Sequence, residues 1–229
     1  MGLHLVEYSK LSLQEVFDQL ALNVPLPQLL RNMGLMHDDH LTLAGLLLFA
    51  KDPQGYRPMF NIQCASFLGD DVAGSGFRDK ENVGGNFLKM YDRAIGFLNR
   101  NLRKIQVGKE FNVQGVLEVP VEVLVELLIN AMVHRDYFIH SSIKLFIFDN
   151  RIEIISPGRL PNTLTIENIK NGISVARNPI LHSIAQFVLP YSGLGSGIPR
   201  ALDSYKHIEF ENDKQGDRFS AVIQRIHTV

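Results

Sequence analysis

The sequence predicts an α+β fold in two parts: an N-terminal helical and α+β linker region over residues 1–106, then a helix-on-sheet sandwich over residues 107–229. Three observations predict it. Phe87, Met90, Tyr91, Ala94, Ile95, Leu98 and Leu102 recur at helical spacing and mark a long amphipathic helix. From Pro120 to His134 the chain is apolar around almost its whole circumference, the pattern of a helix that wants burial. After it come four strand-like runs, Ile143–Phe148, Arg151–Ile155, and stretches near His207–Asn212 and Arg218–Arg225, which supply a sheet to cover it.

The elements follow in order. Ser12-Leu-Gln-Glu15 is a capping box opening a short helix to about Ala21, and Pro25 and Pro27 start another. Thr42 can cap the apolar run that ends at Ala50, ahead of Asp52-Pro53, because the residue before a proline leaves helical geometry. Phe60–Leu68 reads as a strand, Gly69–Gly85 as a Gly-rich, charged connection, and the amphipathic helix ends near Arg103. Phe111–Val119 is strand-like and is closed by Pro120, which suits the first residue of a helix. Asp149-Asn150 is a two-residue hairpin signal between two strands. Helical stretches at Thr165–Asn171 and Pro179–Val188 lead to Gly193-Leu-Gly-Ser-Gly197, a helix from Ile198 to about Tyr205, and the two closing strands.

Composition narrows the function classes. With 23 basic and 24 acidic side chains the formal net charge is −1, which argues against coating nucleic acid by charge alone. The longest apolar run, Leu43–Ala50, is far short of the roughly 18 residues a membrane helix needs, and the opening residues lack a secretory pattern, so a cytoplasmic chain with no membrane partner is expected. Cys64 is the one cysteine, which excludes an internal disulfide and a cysteine-based zinc site.

In the Pro120 helix the polar side chains before Arg135 are Glu122, Glu126, Asn130 and His134, each four residues from the last. They make one narrow seam, which is either the helix's solvent edge or the lining of a pocket. A carboxylate one turn before an amide can orient a water as general base while the amide oxygen binds Mg²⁺. His134-Arg135-Asp136 spells a protein-kinase triplet, but the Asp-Phe-Gly and glycine-loop context is missing; His134, Asp136 and His140 as a metal set lack a recognised spacing. The chain has no Gly-x-x-x-x-Gly-Lys-Ser/Thr loop, and its one Gly-Lys pair, Gly108-Lys109, is followed by glutamate, so its own motifs do not make a helicase.

Glu126-Leu-Leu-Ile-Asn130 resembles the N box of the ATPase superfamily of gyrase B, heat-shock chaperones, histidine kinases and MutL proteins. The wider block, Glu126–Tyr137 with Asp149–Pro161 and Arg177-Asn-Pro179, resembles RecG-related, helicase-like and transcriptional-regulator proteins whose C-terminal half is a divergent domain of that superfamily. The resemblance covers residues 110–225 strongly and, through Leu41–Phe49 and Asp52-Pro-Gln54, the first region more loosely. It implies a histidine-kinase-type ATPase fold over 107–229 with ATP and Mg²⁺ as cofactors, Glu126 as general base and Asn130 as the Mg²⁺ ligand, with His134 extending the seam. It places Ser156, in Ser156-Pro-Gly158-Arg-Leu-Pro161, where the superfamily's adenine-reading aspartate stands, a loss of charge that weakens adenine specificity. That turn can equally be a Pro-Gly turn with no ligand.

The resemblance further makes Gly193, Gly195 and Gly197 a second glycine box whose amides and following helix N-terminus cradle phosphates. Asp217 replaces the threonine often found before the last strand. Arg200 either helps with phosphate or is a surface charge, and Arg177 either sits on a lid or opens a loop ahead of a helix. Family members commonly add an AlbA-type domain and a winged helix, neither recognisable here, so DNA would be contacted through domains outside this chain and a homodimer is the other expected partner. The function implied is a nucleotide-binding module of a DNA-associated transcriptional regulator, at most a weak ATPase. The alternative is a degenerate pseudo-ATPase serving as a structural or dimerisation module, and a small-molecule sensor using the same cleft is a third reading.

Overall fold

The computed structural model describes residues 25–73, 76–105, 115–161, 163–191 and 193–226; the helix expected from Ser12 lies outside them. The described chain opens with α1 (Leu26–Asn32), capped at Pro25 with Pro27 in its first turn. A tight hairpin of β1 (Met36–His37) and β2 (His40–Leu41) leads to Thr42, whose hydroxyl accepts from the Gly45 amide and starts α2 (Leu43–Phe49). Asp52 caps the short α3 (Pro53–Tyr56) in the same way.

Two strands follow, β3 (Ile62–Phe67) and β4 (Phe77–Val83). The second falls inside the Gly-rich, charged stretch Gly69–Gly85, where the sequence marks no strand. It hides in sequence because its half-buried positions are charged: Asp79 and Glu81 point back to Arg100 at 2.7 and 2.5 Å, and Glu81 also takes Arg93 at 2.7 Å. Those arginines belong to α4 (Phe87–Asn101), begun by the Asn86 cap, which buries Phe87, Met90, Ala94, Phe97 and Leu98 at the expected spacing. A minimal pair, β5 (Lys104–Ile105) and β6 (Val116–Leu117), is what stands of the strand expected over 111–119, whose residues 111–114 lie outside the described set.

Pro120 caps α5 (Val121–Val133), in which eight of thirteen residues are buried. The hairpin of β7 (Ile143–Ile147) and β8 (Arg151–Pro157) turns at Asp149-Asn150, closed by the Phe148 amide on the Arg151 carbonyl at 2.8 Å. Then come α6 (Ile166–Lys170), opened by a Thr165/Asn168 capping box, α7 (Pro179–Val188) and α8 (Gly197–Ser204), and last β9 (Ile208–Asp213) and β10 (Arg218–Gln224).

Six strands form one mixed sheet in the order β4-β3-β7-β8-β10-β9. All neighbours are antiparallel except β3 and β7, which run parallel with Cys64 opposite Leu145. The sheet therefore crosses the expected boundary at residue 106: two strands from the first region complete the sheet of the second. One sheet face carries Ile62, Cys64, Ile143, Leu145, Ile147, Ile152, Ile154, Ala221 and Ile223 into a core shared with α4 and α5. The opposite face holds a small cluster of Ala65, Phe67 and Phe148 with Phe146 against it. This is the helix-on-sheet α+β architecture the sequence predicts. Burial pushes the Cys64 thiol up to about 12, with the Glu81 carboxylate adding to the shift, so the one cysteine is an unreactive core group. No helix among the described residues is long and apolar enough to cross a membrane.

Candidate functional site

The polar seam of α5 turns toward α8 and a cleft. Glu122, at the outer end, is exposed and accepts from Ser204 Oγ at 3.0 Å. Glu126, Asn130 and His134 are half-buried, and all three line the cleft together with the end of β8, the 158–161 turn, the Ile169–Val175 segment, Tyr191 and the glycine turn. Its walls are apolar, among them Leu127, Ala131, Ile154, Phe210 and Phe219, and its charged lining residues are Glu126 and Arg159. The cleft is about 100 Å³, well below the roughly 300–1,000 Å³ of sites that enclose drug-sized ligands.

Asn130 Nδ2 donates twice to Glu126, to the backbone carbonyl at 2.8 Å and to Oε1 at 2.7 Å. The carboxylate itself lies over Gly197, so close that a β-carbon there would overlap Oε1. Ser156 is buried and donates its hydroxyl proton to the Ala131 carbonyl of α5 at 2.9 Å. Toward the cleft it offers lone pairs only, an acceptor fixed in place without charge. Gly158 takes φ +98°, and a side chain there would strike Asp136. Its amide donates to Asp217 O at 2.7 Å, while the Asp136 amide donates to Pro157 O at 2.8 Å. This glycine is required where the end of β8, the His134-Arg135-Asp136 loop and the β9–β10 turn meet.

The glycine turn is packed just as closely. A side chain on Gly193 would meet the Gln186 amide, and one on Gly195 (φ +74°) the carbonyl of Gly172. Arg177 and Arg200 do not line the cleft. Arg177 stands behind the Gly158 turn, its guanidinium on the Asp136 carboxylate and the Arg159 carbonyl, and borders a second groove of about 240 Å³ between α2 and α7. Arg200 is exposed, in the first turn of α8. Eight of the ten residues singled out in the sequence thus surround one cleft: Glu126, Asn130, His134, Ser156, Gly158, Gly193, Gly195 and Gly197. Among the described residues no set of three or more His, Cys, Asp or Glu could hold a metal, so His134, Asp136 and His140 do not form one. The neighbouring oxygens of Glu126 and Asn130 are hard donors of the kind Mg²⁺ accepts beside phosphate.

Sequence reasoning missed two members. Tyr191 lines the cleft with its hydroxyl 3.4 Å from His134 Nε2, and His182 of α7 stands edge-on to both rings, centroids 5.8 and 5.6 Å away. Burial, helped by the nearby His182 ring and the Arg177 guanidinium, holds the His134 imidazole down at about 4. His134 is neutral in the folded protein while its unfolded counterpart, near 6.5, takes a proton first. The His134 contribution to stability is therefore constant above about pH 6.5 and is lost as pH drops from there toward 4. Allowing for its partial exposure, His134→Gln should lose about 2 kcal/mol less than wild type between pH 7 and pH 4 in paired urea melts; parallel pH profiles would remove the assignment.

Comparison with known proteins adds a family match over part of the chain and a fold likeness over nearly all of it. Residues 140–223 match the family described as "Putative ATP-dependent DNA helicase recG C-terminal". The matched segment contains Ser156, Gly158, Arg177 and the glycine turn and begins after α5, so Glu126, Asn130 and His134 lie outside it. The DIP2311 protein of Corynebacterium diphtheriae has a similar crystal structure, with a TM-score of 0.75 and 22% identity over 98% of this chain. At that identity the likeness concerns the fold alone, and this chain spans 46% of that one. No curated protein matches. Residues 140–223 are thus similar to a RecG-related, ATPase-like domain, and they sit in an α+β chain whose sheet reaches back to β3 and β4.

Proposed function

We propose that the cleft is a nucleotide site of ATP type and that the chain is the nucleotide-binding module of a DNA-associated transcriptional regulator. The observation that carries this reading is the convergence of Asn130, Ser156 and the 193–197 glycine turn, far apart in sequence, on one apolar cleft at the start of α8. In this reading the base lies between Ala131, Leu160 and Phe219 with its amino group toward the Ser156 lone pairs. The phosphates reach the glycine turn and the N-terminus of α8. Mg²⁺ would supply charge neutralisation beside Asn130 and Glu126, and Glu126 is the side chain placed to hold a water. Turnover is at most slow, because the cleft brings one cation, Arg159, to a charged ligand. DNA contact belongs to domains outside this chain, and self-association to a homodimer is compatible with it.

A thermal melt with and without millimolar Mg-ATP tests the reading. A ligand at 100 times its dissociation constant should stabilise the wild type by about 2.7 kcal/mol, and Asn130→Ala should lose that gain. No shift in either protein would remove nucleotide binding and leave the second reading, a pseudo-ATPase used as a structural or dimerising module. One observation favours that second reading: each glycine of the turn already packs against a protein group, Gln186, Gly172 or Glu126.

A further inference from the structure

Two protein groups, a carbonyl and a carboxylate, sit against the glycine turn, where the nucleotide reading puts the phosphates. The Gly172 carbonyl lies on Gly195, and the Glu126 carboxylate lies on Gly197, the first residue of α8. Glu126 Oε1 also accepts from Asn130 Nδ2 at 2.7 Å. The carboxylate thus has the Asn130 amide donor on one side and, on the other, the Cβ side of Gly197, where an eight-residue helix begins and its dipole favours negative charge. The narrow cleft agrees with this: with the turn drawn onto Gly172 and Glu126, about 100 Å³ remains.

We propose that Glu126 is the site's internal anion: its carboxylate holds the seat between Asn130 and the start of α8, latching the glycine turn shut, and a phosphate ligand enters by displacing it. The proposal rests on the nucleotide reading for the identity of the ligand, not for the seat itself. It gives Glu126 a role opposite in sign to that of a base whose removal leaves binding intact. As a like charge within contact distance, Glu126 weakens anion binding, and removing its charge should strengthen it.

Metal-free pyrophosphate tests the seat by itself, with Mg-ATP as a separate arm, titrated calorimetrically into the full chain. Glu126→Gln keeps the side chain's size and should bind pyrophosphate at least about tenfold more tightly than wild type. Glu122→Gln removes the same charge one turn away, on a residue bonded to Ser204 rather than seated on Gly197, and should bind like wild type. Glu126→Ala gives a second readout: the backbone amides of residues 195–200 should exchange hydrogen faster than in wild type once the latch is gone. Tighter binding confined to position 126 supports the latch. Equal gains at 122 and 126, or no gain at 126, overturn it. If Glu126→Gln gains pyrophosphate affinity while no variant binds Mg-ATP, the latch stands and the nucleotide reading falls. If wild type and Glu126→Gln bind Mg-ATP and pyrophosphate equally, the nucleotide reading stands and the latch falls.

Discussion

Replacing Glu118 with alanine should lower the unfolding free energy by about 3–5 kcal/mol, because it strands a buried guanidinium. Glu118 and Arg225 are 107 residues apart, and their side chains are 2% and 3% exposed. Glu118 Oε1 accepts from Arg225 Nε at 3.0 Å and Nη2 at 2.6 Å, and from the Arg103 amide at 2.9 Å. Arg225 Nη1 donates to the Phe148 carbonyl at the β7–β8 turn. One carboxylate thereby joins the end of α4, the entry to α5, the central hairpin and the exit of β10. Urea melts should show a lower midpoint with little change in slope. Replacing both partners by methionine removes the charge along with its counter-charge and should recover most of the loss. A cost under about 1 kcal/mol for Glu118→Ala would mean water reaches the pair, as it does for exposed ion pairs.

Neither partner of that pair announces itself in sequence. Local patterns did reveal much: the helical spacing in α4, the Thr42 cap, the Asp149-Asn150 hairpin and the four-residue seam of α5 each report on neighbours within a turn or two. The seam was informative because the rest of that helix is apolar, so a polar stripe needed a reason to be there. β4 was illegible for the converse reason. Its inward positions are charged, and the arginines that make them tolerable stand on α4, twelve or more residues on. The parallel pairing of β3 with β7 depends on a connection of some 75 residues and leaves no mark in either strand.

The candidate site shows the same limit. Glycines at 193, 195 and 197 report only that a β-carbon is missing; a sequence cannot say whether phosphate or protein uses the space. Here Gln186, Gly172 and Glu126 use it in the folded chain. Arg177 of the Arg-Asn-Pro triplet reads from sequence as either a lid residue or the opening of a loop, and in the fold its guanidinium closes on Asp136, a residue of a different motif. Two motifs that resemble family signatures separately are one structural unit: Asp136, Gly158 and Arg177 hold each other in position behind the cleft. His182 and Tyr191 join His134 through tertiary packing alone, which no spacing rule could find.

Arg135→Ala should cost about 3–5 kcal/mol, the other large loss, and should reach the cleft as well. Arg135 is 1% exposed and lies over the rings of Phe60 and Tyr137, its guanidinium carbon 4.5 and 5.0 Å from the ring centroids. Nη2 donates to the carbonyls of Met59 and Ile139, both at 3.3 Å, and of Ser141. Burial lowers its pKa, opposed by the Asp136 carboxylate, and Nε has no partner, so the charge is held by rings and carbonyls. Alanine would empty that space and leave the carbonyls unpaired; methionine keeps the volume and isolates the hydrogen-bonding loss, about 1–3 kcal/mol. His134, on the cleft wall, and Asp136, which takes Arg177, are its chain neighbours. Arg135→Met should therefore also reduce any thermal gain from Mg-ATP, although the side chain never enters the cleft. A methionine variant that loses stability yet keeps the full ligand shift would make Arg135 a brace for the fold alone. One that loses both would show that the loop between α5 and β7 sets the shape of the cleft.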